Sequence, residues 1–355
     1  MILFDHKIFF LQKHGGISRY ITELCKCLKK NNVEHLVQAS IHNNTYLKNS
    51  DITKSRNIYL NQYPRFSRKI IEYINNYNLK KKINDEKIKI LHNTYYGKYK
   101  TDKKIYKITS VYDFTHEIFS KDYDYKKNLK KGAIDNSDHF ICISNNTKKD
   151  LIEYYNIDEK RISVVYLGGD HLPKPNYSFN EKPFILYVGY RENYKNFKIL
   201  LNAFNQSHKL KKDFEIICYG DNFFSKEELS KINEYGLSNK IRHFSGDDQL
   251  LSNLYSSAKC HVITSKYEGF GITAIEAYNF NCPVIQNNNS SLSEIGYSKN
   301  NFNGTAEELT YILEDVLYLD QRYKESIEAG NKLKEKFNWK NCYLGTMQVY
   351  KKFDV

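Results

Sequence analysis

Short apolar runs of strand length recur along this chain, most of them rich in β-branched residues, with amphipathic or turn-forming segments between them. Runs at 1–4, 88–91, 107–111, 140–143 and 162–165 make one series, and runs at 184–188, 214–218, 241–244, 261–264 and 283–285 make a second. Stretches of helical spacing intervene, as at 197–204 and 226–235. Strands alternating with helices imply parallel sheets covered on both faces, because parallel strands need helical crossovers. The chain is therefore expected to be α/β, and its 355 residues suit two domains. Pro173 and Pro175 punctuate the gap between the two series. Expected boundaries are 1–172 and 173–338, with a final helix in 339–355. The expected architecture is a pair of Rossmann-like domains whose parallel sheets face a central cleft, because open α/β sheets take ligands beyond the carboxyl ends of their strands.

The junctions after these strands carry the chemistry. Beyond 261–264 come Tyr267, Glu268, Gly269, Phe270 and Gly271, and a helix is expected from Ile272 to Phe280. Such a turn points backbone N–H groups and the positive end of a helix dipole at an anion. Glu268 in the loop and Glu276 one turn into the helix would lie near the same ligand. A phosphate on the amides and hydroxyls on the carboxylates describe a sugar nucleotide. Taken alone, a glycine turn with two glutamates eight residues apart reads equally as an ordinary strand–helix junction. After 184–188, Gly189 ends the strand and a loop carries Arg191 and Lys195 before a helix near Asn196. Arginine offers a planar fork and lysine a compact charge for phosphate oxygens, although residue type alone also allows two solvated loop cations.

Gly15 and Gly16 precede a helix through Lys29, where a bare backbone admits close approach of a ligand; by itself a glycine pair is more often a turn. Strand ends of the first series supply candidates for handling an acceptor proton: Asp113 with His116 first, then His92, with Ser144 also at a strand end. Histidine titrates near neutrality, which suits that role, but a strand-end histidine is also commonly a hydrogen-bonded structural residue. Asp122-Tyr123-Asp124 spells a metal-binding triplet, yet it follows a charged loop rather than an apolar strand and reads as solvated acids. No other acidic or histidine cluster has metal spacing, so neither a metal nor another cofactor is expected.

Glu268 through Ala277 resembles the Glu-x7-Glu signature of retaining glycosyltransferases of family 4, which have the GT-B fold. Gly189 through Asn196 is similar to that family's Gly-x-Arg…Lys-Asn loop, and Gly15 through Tyr20 to its N-terminal glycine loop. The resemblance implies that Arg191 and Lys195 neutralise a departing nucleoside diphosphate, and that Gly15 and Gly16 close over it. It further implies that Glu276 holds the ribose, that Glu268 with Gly269, Phe270, Gly271 and Ile272 orients the donor sugar, and that the last helix returns to the first domain. Many relatives carry a His-Asp pair where Tyr112-Asp113 stands here, which leaves the usual histidine role open. His14 through Tyr20 together with Tyr194 through Phe197 looks most like bacterial enzymes that build surface polysaccharide, often labelled mannosyltransferases. The implied co-substrate is a GDP- or UDP-linked sugar and the implied acceptor a glycan on a polyprenyl diphosphate.

Charge and cysteines bound the setting. Residues 1–170 hold 31 Lys and Arg against 19 Asp and Glu, whereas 171–355 hold 23 against 22, so the excess lies in the first half. A basic half invites nucleic acid, an anionic membrane or a phosphorylated acceptor. No nucleic-acid-binding motif accompanies it, and nucleic acid is not the expected partner. Residues 65–82 mix Phe66, Ile70, Ile71, Ile74, Tyr77 and Leu79 with six Lys and Arg. That mixture suits either an interfacial helix on anionic lipid or a stripe packed on the domain's own core. Seven cysteines without CxxC spacing, no leader-like N-terminus and no apolar run of membrane-spanning length give the expectation of a cytoplasmic protein, peripheral on the inner face of the membrane. A non-catalytic basic binding protein, or another GT-B activity such as a sugar epimerase or a phosphorylase, remains the alternative.

Overall fold

The computed structural model describes residues 1–53, 57–99, 101, 103–119, 124–179 and 182–353, so Asp122 and Tyr123 of the acidic triplet lie outside the described residues. The chain divides into two compact units, one of Met1–Leu167 with Trp339–Val355 and one of Gly168–Asn338.

The first unit contains strands β1 (Ile2–Phe4), β2 (His35–Val37), β3 (Ile41–His42), β4 (Ile58–Tyr59), β5 (Ile90–Asn93), β6 (Tyr106–Val111), β7 (His139–Cys142) and β8 (Ile162–Val164). Six of them form a parallel sheet in the order β2-β1-β5-β6-β7-β8, and β3 and β4 make a separate parallel pair. Every residue of β1, β5 and β7 is buried, as apolar runs covered on both faces require. The helix Gly16–Lys30 packs beside the final helix Trp339–Lys351 in this same unit. The Tyr20 ring stacks on Trp339 with centroids 6.4 Å apart, and Gly345 lies close enough to Val165 that a Cβ there would stand 3.1 Å from its methyl.

The second unit contains β9 (Phe184–Val188), β10 (Glu215–Tyr219), β11 (Ile241–Phe244), β12 (Cys260–Ile263), β13 (Val284–Asn287) and β14 (Asn301–Phe302). All are parallel, in the order β11-β10-β9-β12-β13-β14. The strand order reverses at β9, so connections from β9 and β12 leave in opposite directions and a crevice opens beyond their carboxyl ends. Leu200 and Phe204 of the helix Phe197–Gln206 and Leu309 and Leu313 of the helix Ala306–Tyr318 are fully buried in one cluster against this sheet. Each such side chain contributes about 1.5–3 kcal/mol on leaving water.

Candidate functional site

The reversal point of the second sheet brings two of the sequence-marked loops together. After β9, Gly189 adopts φ +107°, a left-handed conformation that strains any other residue, and the space where its Cβ would stand is open. The loop then makes a short 3-10 turn, Asn193–Lys195, before the helix Phe197–Gln206. After β12, the Thr264 hydroxyl donates to the Lys195 carbonyl at 2.6 Å and the Lys266 amide donates to the Tyr194 carbonyl at 2.7 Å. The two loops are thus tied together through the backbone of the first, across about 70 residues of sequence.

Lys195 and Glu268 meet across that seam. Lys195 Nζ lies 2.6 Å from Glu268 Oε1, and the Ser265 hydroxyl donates to the same oxygen at 2.6 Å. Burial would lower the Lys195 pKa, but the Glu268 carboxylate, with Tyr194 and Tyr187 nearby, holds it above the ordinary lysine value. The ammonium is therefore a permanent cation. Glu268 is anchored from behind: its N–H donates to Ser290 Oγ at 2.9 Å, and its carbonyl accepts from Ser291 Oγ at 2.7 Å.

Arg191 is not the solvated loop cation that its sequence context allows. Its side chain is 2 % exposed, with Nε 2.9 Å from Glu228 Oε1 and Nη2 donating to the carbonyls of Asn222 and Phe223. Those bonds fix the loop beyond β10. The third guanidinium nitrogen, Nη1, is buried without a hydrogen-bond partner. A buried cationic donor with no acceptor is expensive, so this nitrogen is the part of the guanidinium that could still take a hydrogen-bond acceptor.

The helix Ile272–Asn279 follows Gly271, whose φ of +94° and closeness to Leu292 and Ile295 leave no room for a side chain. Phe270 is buried edge-on against Phe337, which sets the loop's course behind Gly269. Glu276 is buried on this helix, its Oε2 accepting from the Tyr255 hydroxyl at 3.1 Å and its Oε1 lying 3.1 Å from His171 Nε2. Burial and the adjacent Glu276 carboxylate push the Tyr255 hydroxyl well up, so it stays a donor. Gly169 presses on the same helix: a Cβ there would lie 2.8 Å from Ile275 Cβ and 2.9 Å from the Glu276 nitrogen.

His171, Tyr255, Ser265, Ser290 and Gly169 were not marked by the sequence. A glycine pair with a histidine two residues on, at the start of the second unit, was the available signal for two of them.

In the first unit the strand-end candidates separate. His92, in β5, is withdrawn as a proton acceptor. Its Nε2 bonds Ser110 Oγ at 2.8 Å, its Nδ1 bonds the Tyr350 hydroxyl, and its ring stacks on Phe4. Burial lowers its pKa to about 3, so it is a neutral core residue with both nitrogens engaged. Asp113 and His116 share the turn into the helix Thr115–Phe119 and are half-buried. Asp113 Oδ1 accepts from the Thr115 amide at 3.0 Å, and its carbonyl accepts from Lys130 Nζ at 2.8 Å. Lys130 is itself buried in an ion pair with Glu117 at 2.8 Å. Gly15 ends the loop before the helix Gly16–Lys30 and lies under the Gln12 side chain, whose Oε1 accepts from the Ser18 amide at 3.2 Å. Ser144 caps the helix Asn145–Tyr155 by accepting from the Thr147 amide at 3.0 Å. Among the described residues no group of three His, Cys, Asp or Glu side chains could hold a metal ion.

Comparison with known proteins places the chain among glycosyltransferases. Residues 14–171 match the profile of "Glycosyltransferase Family 4" and residues 170–332 that of "Glycosyl transferases group 1". An uncharacterised glycosyltransferase of Methanocaldococcus jannaschii is 28% identical over 95% of this chain and 94% of its own length. O-antigen chain mannosyltransferase B of Escherichia coli is 24% identical over 62% of each chain. The crystal structure of Anabaena HepE, a complex with UDP and glucose, superposes with a TM-score of 0.72 over 99% of this chain and 98% of that one, at 14% identity.

Proposed function

We propose, for a chain that belongs to the family 4 glycosyltransferases of the GT-B fold, that the reaction is retaining transfer of a hexose from a nucleoside diphosphate to a hydroxyl of a surface polysaccharide growing on a lipid carrier. The chain is a transferase; the donor, acceptor and stereochemistry are the proposal. The observation that carries it is the seam at the β9/β12 reversal point, where the Lys195 ammonium pairs with Glu268 at the start of the glycine turn Gly269–Gly271, with Arg191 on the same β9 loop four residues before it. A diphosphate there is met by fixed donors as its charge grows, which is the strongest stabilisation open to such a site. Glu268, tied by Ser290 and Ser291, orients the sugar together with the amides of Phe270 to Ile272, and Glu276 takes the ribose hydroxyls. The C1–O bond to phosphate breaks with its electrons passing to the phosphate oxygen. The acceptor oxygen then attacks C1 from the same face, and its proton passes to that departing phosphate. Asp113 and His116 remain the acceptor-side candidates.

Mannose is the leading sugar, from the E. coli relative's name, with GDP as its carrier; UDP-glucose is the competitor, from a further structure of Anabaena HepE in complex with UDP-glucose. A thermal-shift screen against GDP, UDP and their sugars, without added metal, tests the reading. Ligand at 100 times its Kd stabilises by about 2.7 kcal/mol, and that response should appear for one nucleotide and vanish in Lys195→Ala. No response from folded protein across the panel would refute the donor site and favour a basic protein that binds anionic polymer.

A further inference from the structure

Helix Arg68–Ile83 has two apolar faces where one is enough to hold it to the first unit. Ile71, Asn75, Leu79 and Ile83, spaced by four, are buried, and Leu79 and Ile83 join the core cluster with Leu3, Ile88 and Leu91. Asn75 secures this inner face by accepting from the Ile41 amide at 3.0 Å and donating to its carbonyl at 2.9 Å. The outer face carries Ile70, Tyr73 and Tyr77, 64 %, 71 % and 51 % exposed, with Phe66 at 84 % just before the helix. At 100° per residue Ile70, Tyr73 and Tyr77 fall within about 60° of one another, opposite the buried face. Phe66 holds φ +65°, a left-handed conformation costly for a bulky residue, while its ring stands in solvent.

The charges are sorted in the same way. Six cations stand against a single acid, Glu72, across residues 65–82, and Glu72 pairs with Lys7; on the helix Lys69, Lys80 and Lys81 flank the exposed stripe, whereas Arg68 lies over the Phe10 and Tyr63 rings. The Lys81 ammonium lies 4.5 Å from the Tyr77 ring centroid and the Arg65 guanidinium 4.8 Å from that of Phe66, so cations border the exposed rings. An apolar stripe rimmed by positive charge alone is complementary to one kind of surface, acyl chains beneath anionic headgroups.

We propose that the outer face of helix Arg68–Ile83, with Phe66, seats the protein on an anionic lipid membrane. This deepens the lipid-carried acceptor of the proposed function and rests on it for its purpose, but not for its test. Full-length protein should cosediment with phosphatidylcholine vesicles containing phosphatidylglycerol, and not with phosphatidylcholine alone. Replacing Lys69, Lys80 and Lys81 by Gln should weaken binding on the order of a hundredfold, at about fivefold per cation removed. Replacing Phe66, Ile70, Tyr73 and Tyr77 by Ser should also release it, with the thermal response to nucleotide unchanged because these side chains lie outside the core. An equal loss from Lys332, Lys334 and Lys336 to Gln would show diffuse attraction and overturn the proposal. A wild-type dimer that the serine variant dissociates would overturn it too, by giving the face to a second copy. Vesicle binding without any nucleotide response would leave this surface standing while the donor reading fell.

Discussion

Gly169→Ala is the substitution that most directly tests how the second unit holds Glu276. The new methyl would stand 2.8 Å from both Ile275 Cβ and Cγ2 and 2.9 Å from the Glu276 nitrogen. Carbon atoms prefer about 3.5–4.0 Å, so the helix Ile272–Asn279 must retreat by roughly 1 Å. Its backbone cannot yield by a rotamer change, and overpacking of this kind costs about 1–3 kcal/mol. In a unit of 150–250 residues, 1 kcal/mol shifts Tm by about 2–4 °C, which gives a fall of about 2–12 °C. The same retreat draws the Glu276 carboxylate away from the Tyr255 hydroxyl and His171, each now 3.1 Å distant. Misplacement of about 1 Å at a positioned group can cost up to roughly a hundredfold in rate. Differential scanning calorimetry measures the first effect and transfer kinetics the second, with nucleotide titration reading the loss of Glu276 as a binding group. Gly236→Ala is the control, because its φ of +66° is strained but no atom lies within 4 Å of a Cβ there. It should lower Tm by a few degrees and leave nucleotide binding alone. An unchanged Tm with unchanged nucleotide affinity in Gly169→Ala would refute the claim that this glycine sets the helix position.

The remaining predictions concern charge. Burial lowers the pKa of His6 and of His92 to about 3 from 6.5. The unfolded chain therefore takes up protons first, and the stability these residues contribute is present above pH 6.5 and lost as pH falls toward 3. Each should account for about 1.4 kcal/mol lost between pH 7.5 and 5.5, measured by urea unfolding, and His92→Gln should remove one proton from the dependence. Arg191→Lys should destabilise the second unit by about 2–3 kcal/mol, since an ammonium cannot span Glu228 and the carbonyls of Asn222 and Phe223 together. A melting temperature within a degree of the wild type would show that the loop beyond β10 does not depend on the fork.

How much of this was legible in the sequence depended on whether a feature is local. Strand β9 falls at the expected residues because a both-faces-buried strand announces itself as an uninterrupted apolar run; β11 falls there too although, at the sheet's edge, it carries Arg242 and His243 and is only partly buried, and most of the others lie within one or two residues. β2, β3, β4 and β14 were missed. At two or three residues, with His35, His42, Tyr59 and Asn301 among them, they carry no period and are strands only because a neighbour supplies the ladder. The exposed face at residues 66–77 was half legible: composition gave the mixture of rings and cations, but only the structure assigns Ile71 and Leu79 inward and Ile70 and Tyr77 outward.

The site divides along the same line. Glycines at positive φ, such as Gly189 and Gly271, are visible because backbone sterics act on the residue itself. What the sequence cannot express is which charges the fold will neutralise. Arg191 and Lys195 stand four residues apart and look interchangeable as loop cations, yet Glu228 and two carbonyls take most of one, and Glu268 takes the other. The distinction decides their roles. A guanidinium with one nitrogen unsatisfied in a buried setting gains a partner when an anion arrives, whereas an ammonium already paired at 2.6 Å must share its charge with Glu268 or release it. Anion binding would then loosen Glu268 from Lys195 at the moment a sugar's hydroxyls come within its reach. The two substitutions should accordingly separate: loss of Arg191 frees the loop beyond β10 from its fork, while loss of Lys195 removes charge but leaves its own loop held by Thr264 and Lys266.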